Sequence, residues 1–210
     1  MVAIVESGYL RRASGSVSVV VLHEAYGLRS PSSNVPDFCD RLATAGYTAF
    51  APDLYGGASA TTVDDALKLM ETLRDDDAME MIQAAVRELH GVGQGHVAVV
   101  GFCMGGGLSF RSALTLDGVA GAVMFYATPR GDLERLSVPV LGHFAIEDRF
   151  VSVEAVRAAE ARLIKAGKQV TFHYYEGEHS FMNEKLPAFS GTAAELGWRR
   201  TLQFLERIAR

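Results

Sequence analysis

Three side chains in this sequence are spaced for acyl-transfer chemistry: Cys103, Asp148 and His179. Cys103 is the central residue of Gly101-Phe102-Cys103-Met104-Gly105-Gly106-Gly107, with the apolar run His96–Val100 before it and the helix-compatible Leu108–Leu114 after it. A strand, a glycine-flanked residue and a helix describe a nucleophile elbow. Its turn drives the central residue towards φ > 0, and the neighbours must be small for the backbone to clear. A thiol attacks as its thiolate, so it needs a base; the imidazole of His179 can take that proton. A carboxylate such as Asp148 can hold the ring's tautomer and stabilise its cation. The segment lacks the Lys-Ser/Thr pair of a P-loop and the acidic ribose partner of a dinucleotide fingerprint.

The elements needed to position this trio alternate along the chain. Strands are expected at Val17–Leu22, Tyr47–Ala51, His96–Val100, Val119–Tyr126, Pro139–Ile146 and Gln169–Tyr174. Short leading strands are expected at Val2–Val5 and around Tyr9-Leu10. Helices are expected after Ser32–Asn34, from Val63 to His90 with a break near Asp75–Asp77, through Val156–Ala166 and through Trp198–Ala209. Strands alternating with helices imply a mostly parallel sheet covered on both faces. In such a sheet working residues collect at the carboxyl ends of strands, where Cys103, Asp148 and His179 all fall. The chain order nucleophile, acid, histidine is that of the α/β-hydrolases. His173 and His143 lie inside strands and compete poorly with His179; His90 and His96 read as surface or helix-end residues. Cys39 shares an apolar helix face with Val35, Phe38 and Leu42 and reads as core.

The 210 residues suffice for one well-filled core, and no repeat or linker divides them, so residues 1–210 are expected to form a single domain. A net charge of −5 without a basic cluster argues against nucleic-acid binding. No apolar run reaches the ~18–20 residues of a membrane span. The N-terminus lacks the basic-then-apolar order of a signal peptide, and two cysteines cannot build a disulfide framework, so a cytoplasmic protein is expected. No cofactor and no metal site are expected.

Five blocks in order resemble the dienelactone hydrolase (carboxymethylenebutenolidase) family of the α/β-hydrolase fold. They are Val19–Gly27, Ala51-Pro52-Asp53-Leu54-Tyr55, the Gly101–Gly107 elbow, Glu147–Val151, and Tyr175–Phe181. The resemblance implies a single-domain α/β-hydrolase with a Cys103–His179–Asp148 triad. It implies that Glu24 approaches the cysteine in the resting enzyme and helps control when the thiolate forms; by itself Glu24 reads as a solvated loop carboxylate. It also implies an oxyanion hole from the backbone N–H groups of Met104 and Ala25. Pocket positions map onto Tyr26, Leu67, Met70, Phe181 and Asn183. Family members that act on dienelactone hold its carboxylate with arginines. Asn183 stands at one such position, and Thr61-Thr62-Val63 offers none. The expected substrate is therefore a less acidic, more apolar small ester or lactone, cleaved by a monomer or small homo-oligomer. Thioester or small-peptide cleavage at the same site, or non-catalytic ligand binding or oxidant sensing through Cys103, are the competing readings.

Overall fold

A computed structural model describes residues 8–91 and 95–209; the expected strand at Val2–Val5 lies outside them. The strands are β1 (Gly8–Arg11), β2 (Val17–Leu22), β3 (Thr48–Pro52), β4 (His96–Phe102), β5 (Val119–Phe125), β6 (Val140–Ala145) and β7 (Val170–Tyr175). The helices are α1 (Val35–Thr44), α2 (Val63–Thr72), α3 (Asp75–His90), α4 (Met104–Thr115), α5 (Val153–Lys165) and α6 (Gly191–Ile208). One seven-stranded sheet has the order β1-β3-β2-β4-β5-β6-β7; only β1 is antiparallel.

β2 is buried along its whole length because both faces of the sheet are covered. Val17, Val19 and Val21 face α1 and α6, packing with Phe38, Leu42 and Phe204. Val20 and Leu22 face the opposite layer, where α3 supplies Met79, Ile82 and Val86. α4 and α5 extend that layer with Phe110, Val156 and Leu163 over β5 and β6. Two-faced burial is why the central strands read as unbroken apolar runs instead of alternating ones.

The long expected helix is two helices, and the break lies at residues 73–74, just before the acidic run. Asp75, Asp76 and Asp77 form the first turn of α3, where negative charge is favoured by the helix dipole. α2 is capped by the Thr62 hydroxyl, which accepts from the Asp65 N–H at 3.2 Å. Ala66 is its only buried residue, packed in a small cluster with Ala25 and Ala60 away from the main core.

Sheet order reverses at β2: β3 lies on one side of it and β4 on the other. The crevice beyond the carboxyl ends of β2 and β4 is therefore the topological switch point where α/β sheets bind ligands. It lies between the loop that follows Leu22 and the elbow that follows Phe102.

Candidate active site

The elbow takes its shape from two close approaches. A Cβ on Gly105 would stand 2.5 Å from the Leu22 carbonyl oxygen, and one on Gly101 would collide with the Gly105 carbonyl at 1.9 Å. Only glycine lets α4 start this close to β2. Cys103 then sits at φ 52°, ψ −116°, half-buried at the mouth of α4. Its backbone N–H is tied to the Phe125 carbonyl at 3.1 Å. Met104 opens the helix, so its N–H has no intrahelical acceptor. That N–H and the Ala25 N–H have no acceptor among the described residues, and both residues line the same cavity as Cys103.

Backbone pairing carries on past the ends of β6 and β7, with Ile146 N–H to Tyr175 carbonyl at 2.9 Å and Glu147 N–H to Gly177 carbonyl at 3.0 Å. This brings two loops together. Asp148 Oδ1 accepts the Phe150 and Val151 N–H groups at 2.8 and 3.0 Å, which fixes the carboxylate. Its Oδ2 accepts His179 Nδ1–H at 2.7 Å. The opposite nitrogen, His179 Nε2, is buried with no hydrogen-bond partner among the described residues, and Cys103 is near enough to favour its protonated form. Burial pulls the His179 pKa down, but Asp148 and Cys103 outweigh it and raise it to about 10. An imidazolium is thereby stabilised between a carboxylate and the sulfur.

Glu24 is not a solvated loop residue: it is 4% exposed. Its Oε1 accepts the Tyr126 hydroxyl at 2.8 Å and its Oε2 accepts Asn183 Nδ2 at 3.0 Å. It lines the cavity with Cys103, and no hydrogen bond joins the two side chains. Burial raises its carboxyl pKa against the opposing effect of the two donors. His23 locks the same loop from behind. Its Nδ1 donates to the Glu24 carbonyl at 2.7 Å and its Nε2 accepts the Leu54 N–H at 3.2 Å, and burial holds the ring neutral.

A cavity of about 610 Å³ holds these groups. Among the expected pocket residues, Tyr26, Leu67 and Met70 line it. Phe181 and Asn183 do not; both are 0% exposed. Phe181 packs against Phe125, Tyr126 and Tyr175, because its side chain points into the core from the turn after His179. Asn183 lies behind Glu24 and reaches the cavity only through it. His143 belongs to the core: Thr201 donates its hydroxyl to the Gly197 carbonyl, so it accepts from His143 Nε2, and His143 Nδ1 accepts from the Tyr175 hydroxyl. Cys39 is likewise fully buried, and burial raises its thiol pKa.

Nothing in the sequence marks Tyr126, Arg130 or Arg149 as site residues, yet all three line the cavity. Tyr126, at the carboxyl end of β5, lies with its ring 4.9 Å from that of His179. Arg130 and Arg149 reach the cavity from positions other than those where the resemblance puts substrate-holding arginines, so the wall is less uniformly apolar than expected. Backbone strain marks the site as well. The positive-φ non-glycine residues among those described are Cys103, Tyr126 and Ser180, and all three line this cavity. Such conformations cost on the order of 1–3 kcal/mol each and persist where surrounding structure over-determines them. The signal available in sequence was position alone: Tyr126 ends a predicted strand.

The model of the dienelactone hydrolase family matches residues 7–209. Protein usf of Aquifex pyrophilus is 36% identical over 91% of this chain and 88% of its own length. A carboxymethylenebutenolidase of Pseudomonas sp. strain P51 is 29% identical over 94% of this chain and 87% of its own. Among solved structures, a dienelactone hydrolase-like promiscuous phosphotriesterase from metagenomic libraries superposes with a TM-score of 0.79 at 20% identity, covering 94% of this chain and 88% of that one.

Proposed function

The chain belongs to the dienelactone hydrolase family and is accordingly an ester or lactone hydrolase; we propose that Cys103 is its nucleophile, served by His179 and Asp148. One observation carries this reading. His179 is oriented by Asp148 through Nδ1 at 2.7 Å, and its other nitrogen is buried and unpartnered beside the Cys103 thiol.

The chemistry follows from the positions. The thiol proton resides on His179 Nε2, and the thiolate sulfur adds to the ester carbonyl carbon. The carbonyl oxygen gains the negative charge and can receive the free N–H groups of Met104 and Ala25, donors of a kind that contribute about 2.7–4 kcal/mol each to acyl transfer. Collapse of the tetrahedral adduct breaks the carbon–oxygen bond, and His179 returns its proton to the leaving alkoxide. A thioester on Cys103 remains. Water, giving its proton to His179 Nε2, adds to that thioester; the second adduct expels the thiolate and releases the carboxylic acid. Asp148 stabilises the imidazolium at each stage.

The cavity bears on the substrate. Leu67 and Met70 from α2, with Val63, form an apolar wall, while Arg130 and Arg149 add positive charge. A small ester or lactone with an apolar body fits, and a negative group on it finds a partner. Rapid quenching after mixing with a short-chain aryl ester, followed by peptide mass analysis, tests the assignment. The acyl adduct is expected on the peptide that carries Cys103, and Cys103→Ala is expected to lose both adduct and turnover. Near-wild-type turnover in that variant would remove Cys103 from the nucleophile's place.

A further inference from the structure

His23 follows β2, is fully buried, and lies behind the cavity wall and not in it. Its Nδ1–H donates to the Glu24 backbone carbonyl at 2.7 Å, and the Gly27 N–H donates to the same oxygen at 3.1 Å. Neither donor residue lines the cavity, so that carbonyl points away from it. The peptide joining Glu24 to Ala25 is trans and planar, so its N–H points opposite to its carbonyl. Fixing the oxygen behind the wall therefore turns the Ala25 N–H towards the side where Cys103 lies. The ring that does this is itself fixed. Its Nε2 accepts the Leu54 N–H at 3.2 Å, and a carbonyl on one side with an N–H on the other allows one tautomer only. The Leu54 turn is held by buried Asp53, which accepts the Tyr55 N–H at 3.2 Å and the Arg29 guanidinium at 2.9 Å. The Tyr55 ring packs 4.9 Å from the imidazole, and burial keeps that imidazole uncharged.

We infer that His23 is a positioning residue for oxyanion stabilisation: its Nδ1–H holds the Glu24–Ala25 peptide so that the Ala25 N–H is aimed at the oxygen that turns negative when sulfur adds to the ester. The inference rests on the proposed Cys103 nucleophile and on the N–H groups of Met104 and Ala25 as the donors. A donor helps most when it is aimed before the charge develops, because no reorganisation is then needed at the moment of reaction. A loop backbone has no ladder of its own to give that aim. Here a side chain anchored on the turn after β3 supplies it. A tilted peptide would leave the ester's binding intact and weaken only the adduct, so the effect belongs in kcat and not in KM.

A short-chain alkyl trifluoromethyl ketone is the probe, since the Cys103 sulfur adds to its carbonyl carbon and its oxygen then stands where the ester's oxyanion forms. Two substitutions split the roles of the ring. His23→Gln keeps a polar group at the place of Nε2 and loses the donor at Nδ1; His23→Asn keeps a donor at the place of Nδ1 and loses the acceptor for Leu54. His23→Gln is expected to bind the ketone about tenfold to a hundredfold more weakly and to lose kcat in proportion, less than the roughly 10²–10³ lost when a donor is removed outright. Its KM for a short-chain aryl ester should hardly move, and His23→Asn should stay within a few-fold of wild type. Alkylation of Cys103 by iodoacetamide forms no oxyanion and should run at one rate in all three proteins, with Cys39 buried and outside the measurement. Should His23→Gln not fold, wild type supplies a second measurement. Nitrogen NMR should show His23 protonated at Nδ1 and bare at Nε2, and the Ala25 amide proton should shift downfield as the ketone adduct forms. Equal losses in the two variants, losses matched by slowed alkylation, a His23 ring protonated at Nε2, or an unmoved Ala25 amide would each overturn the inference. Ketone inhibition that persists in Cys103→Ala would overturn the nucleophile assignment, and this inference with it.

Discussion

His179 Nδ1 lies 2.7 Å from Asp148 Oδ2, and Asp148 has no freedom to move away because its other oxygen is held by the N–H groups of Phe150 and Val151. One carboxylate therefore sets both the tautomer of the ring and the direction in which Nε2 points. Asp148→Asn should lower kcat by about 10³–10⁴ with little change in KM, as expected when such an orienting carboxylate is replaced. Steady-state kinetics on one ester decide it; a change confined to KM would contradict the orienting role.

The histidines should separate cleanly. His179→Ala should lower kcat by about 10³ or more, since it removes the only imidazole that lines the cavity among the described residues. His173 lies on β7 with its ring 6.0 Å from that of His143, outside the cavity, so His173→Ala should leave kcat within a few-fold. Comparable losses from the two variants would leave His179 without a special role.

Stability should fall as pH rises above the ordinary histidine range. His179 keeps its proton in the folded chain up to about pH 10, whereas the unfolded chain releases it near 6.5. Between those values His179 itself binds more protons in the folded state than in the unfolded state, so its contribution to stability falls with each step up in pH. The contribution is fully present below about pH 6.5 and is lost by about pH 10, with a slope of at most about 1.4 kcal/mol per pH unit. Urea midpoints at pH 7, 8 and 9 should decline in wild type and decline less in Asp148→Asn. Equal slopes in the two proteins would mean that Asp148 does not hold the imidazolium.

Arg149 lies beside the cavity with its guanidinium 5.1 Å from the centre of the Phe150 ring. Arg149→Gln should raise KM for an ester that carries a carboxylate by roughly tenfold or more, since a hydrogen bond to a charged group contributes about 1.5–3 kcal/mol. A neutral ester of the same length should bind nearly as before. If both substrates lost affinity equally, the arginine would be shaping the wall and not selecting charge.

Gly105→Ala should damage the elbow. The added methyl carbon would stand 2.5 and 2.7 Å from two backbone carbonyl oxygens, those of Leu22 and His23, neither of which is a flexible side chain. A stability loss of about 1–3 kcal/mol is expected from such overpacking, with a fall in kcat as Cys103 shifts. Gly107→Ala is the control, because a Cβ there would meet nothing within 4 Å. Equal effects from the two substitutions would sink the close-approach argument.

Much of this protein was settled by local sequence alone. Continuous apolar runs such as Val17–Leu22 specify strands buried on both faces, and Gly101 and Gly105 specify an elbow, because these are properties of short segments and of single residues without a Cβ. Chain order was enough to select Cys103, Asp148 and His179, since each follows a strand and strand ends gather at one edge of a parallel sheet. What lies behind that edge was decided only by the tertiary structure. Glu24 looks like a loop carboxylate until Asn183, 159 residues away, closes over it, and Asn183 looks like a pocket residue until it is seen to be buried. Tyr126, Arg130 and Arg149 enter the cavity from three different places in the chain. No periodicity or spacing encodes such meetings, because they depend on how loops from distant strands fold across a common sheet edge. Local pattern determines the elements and their order; the contacts between loops are set by packing, and here it is packing that determines where the buried acid points.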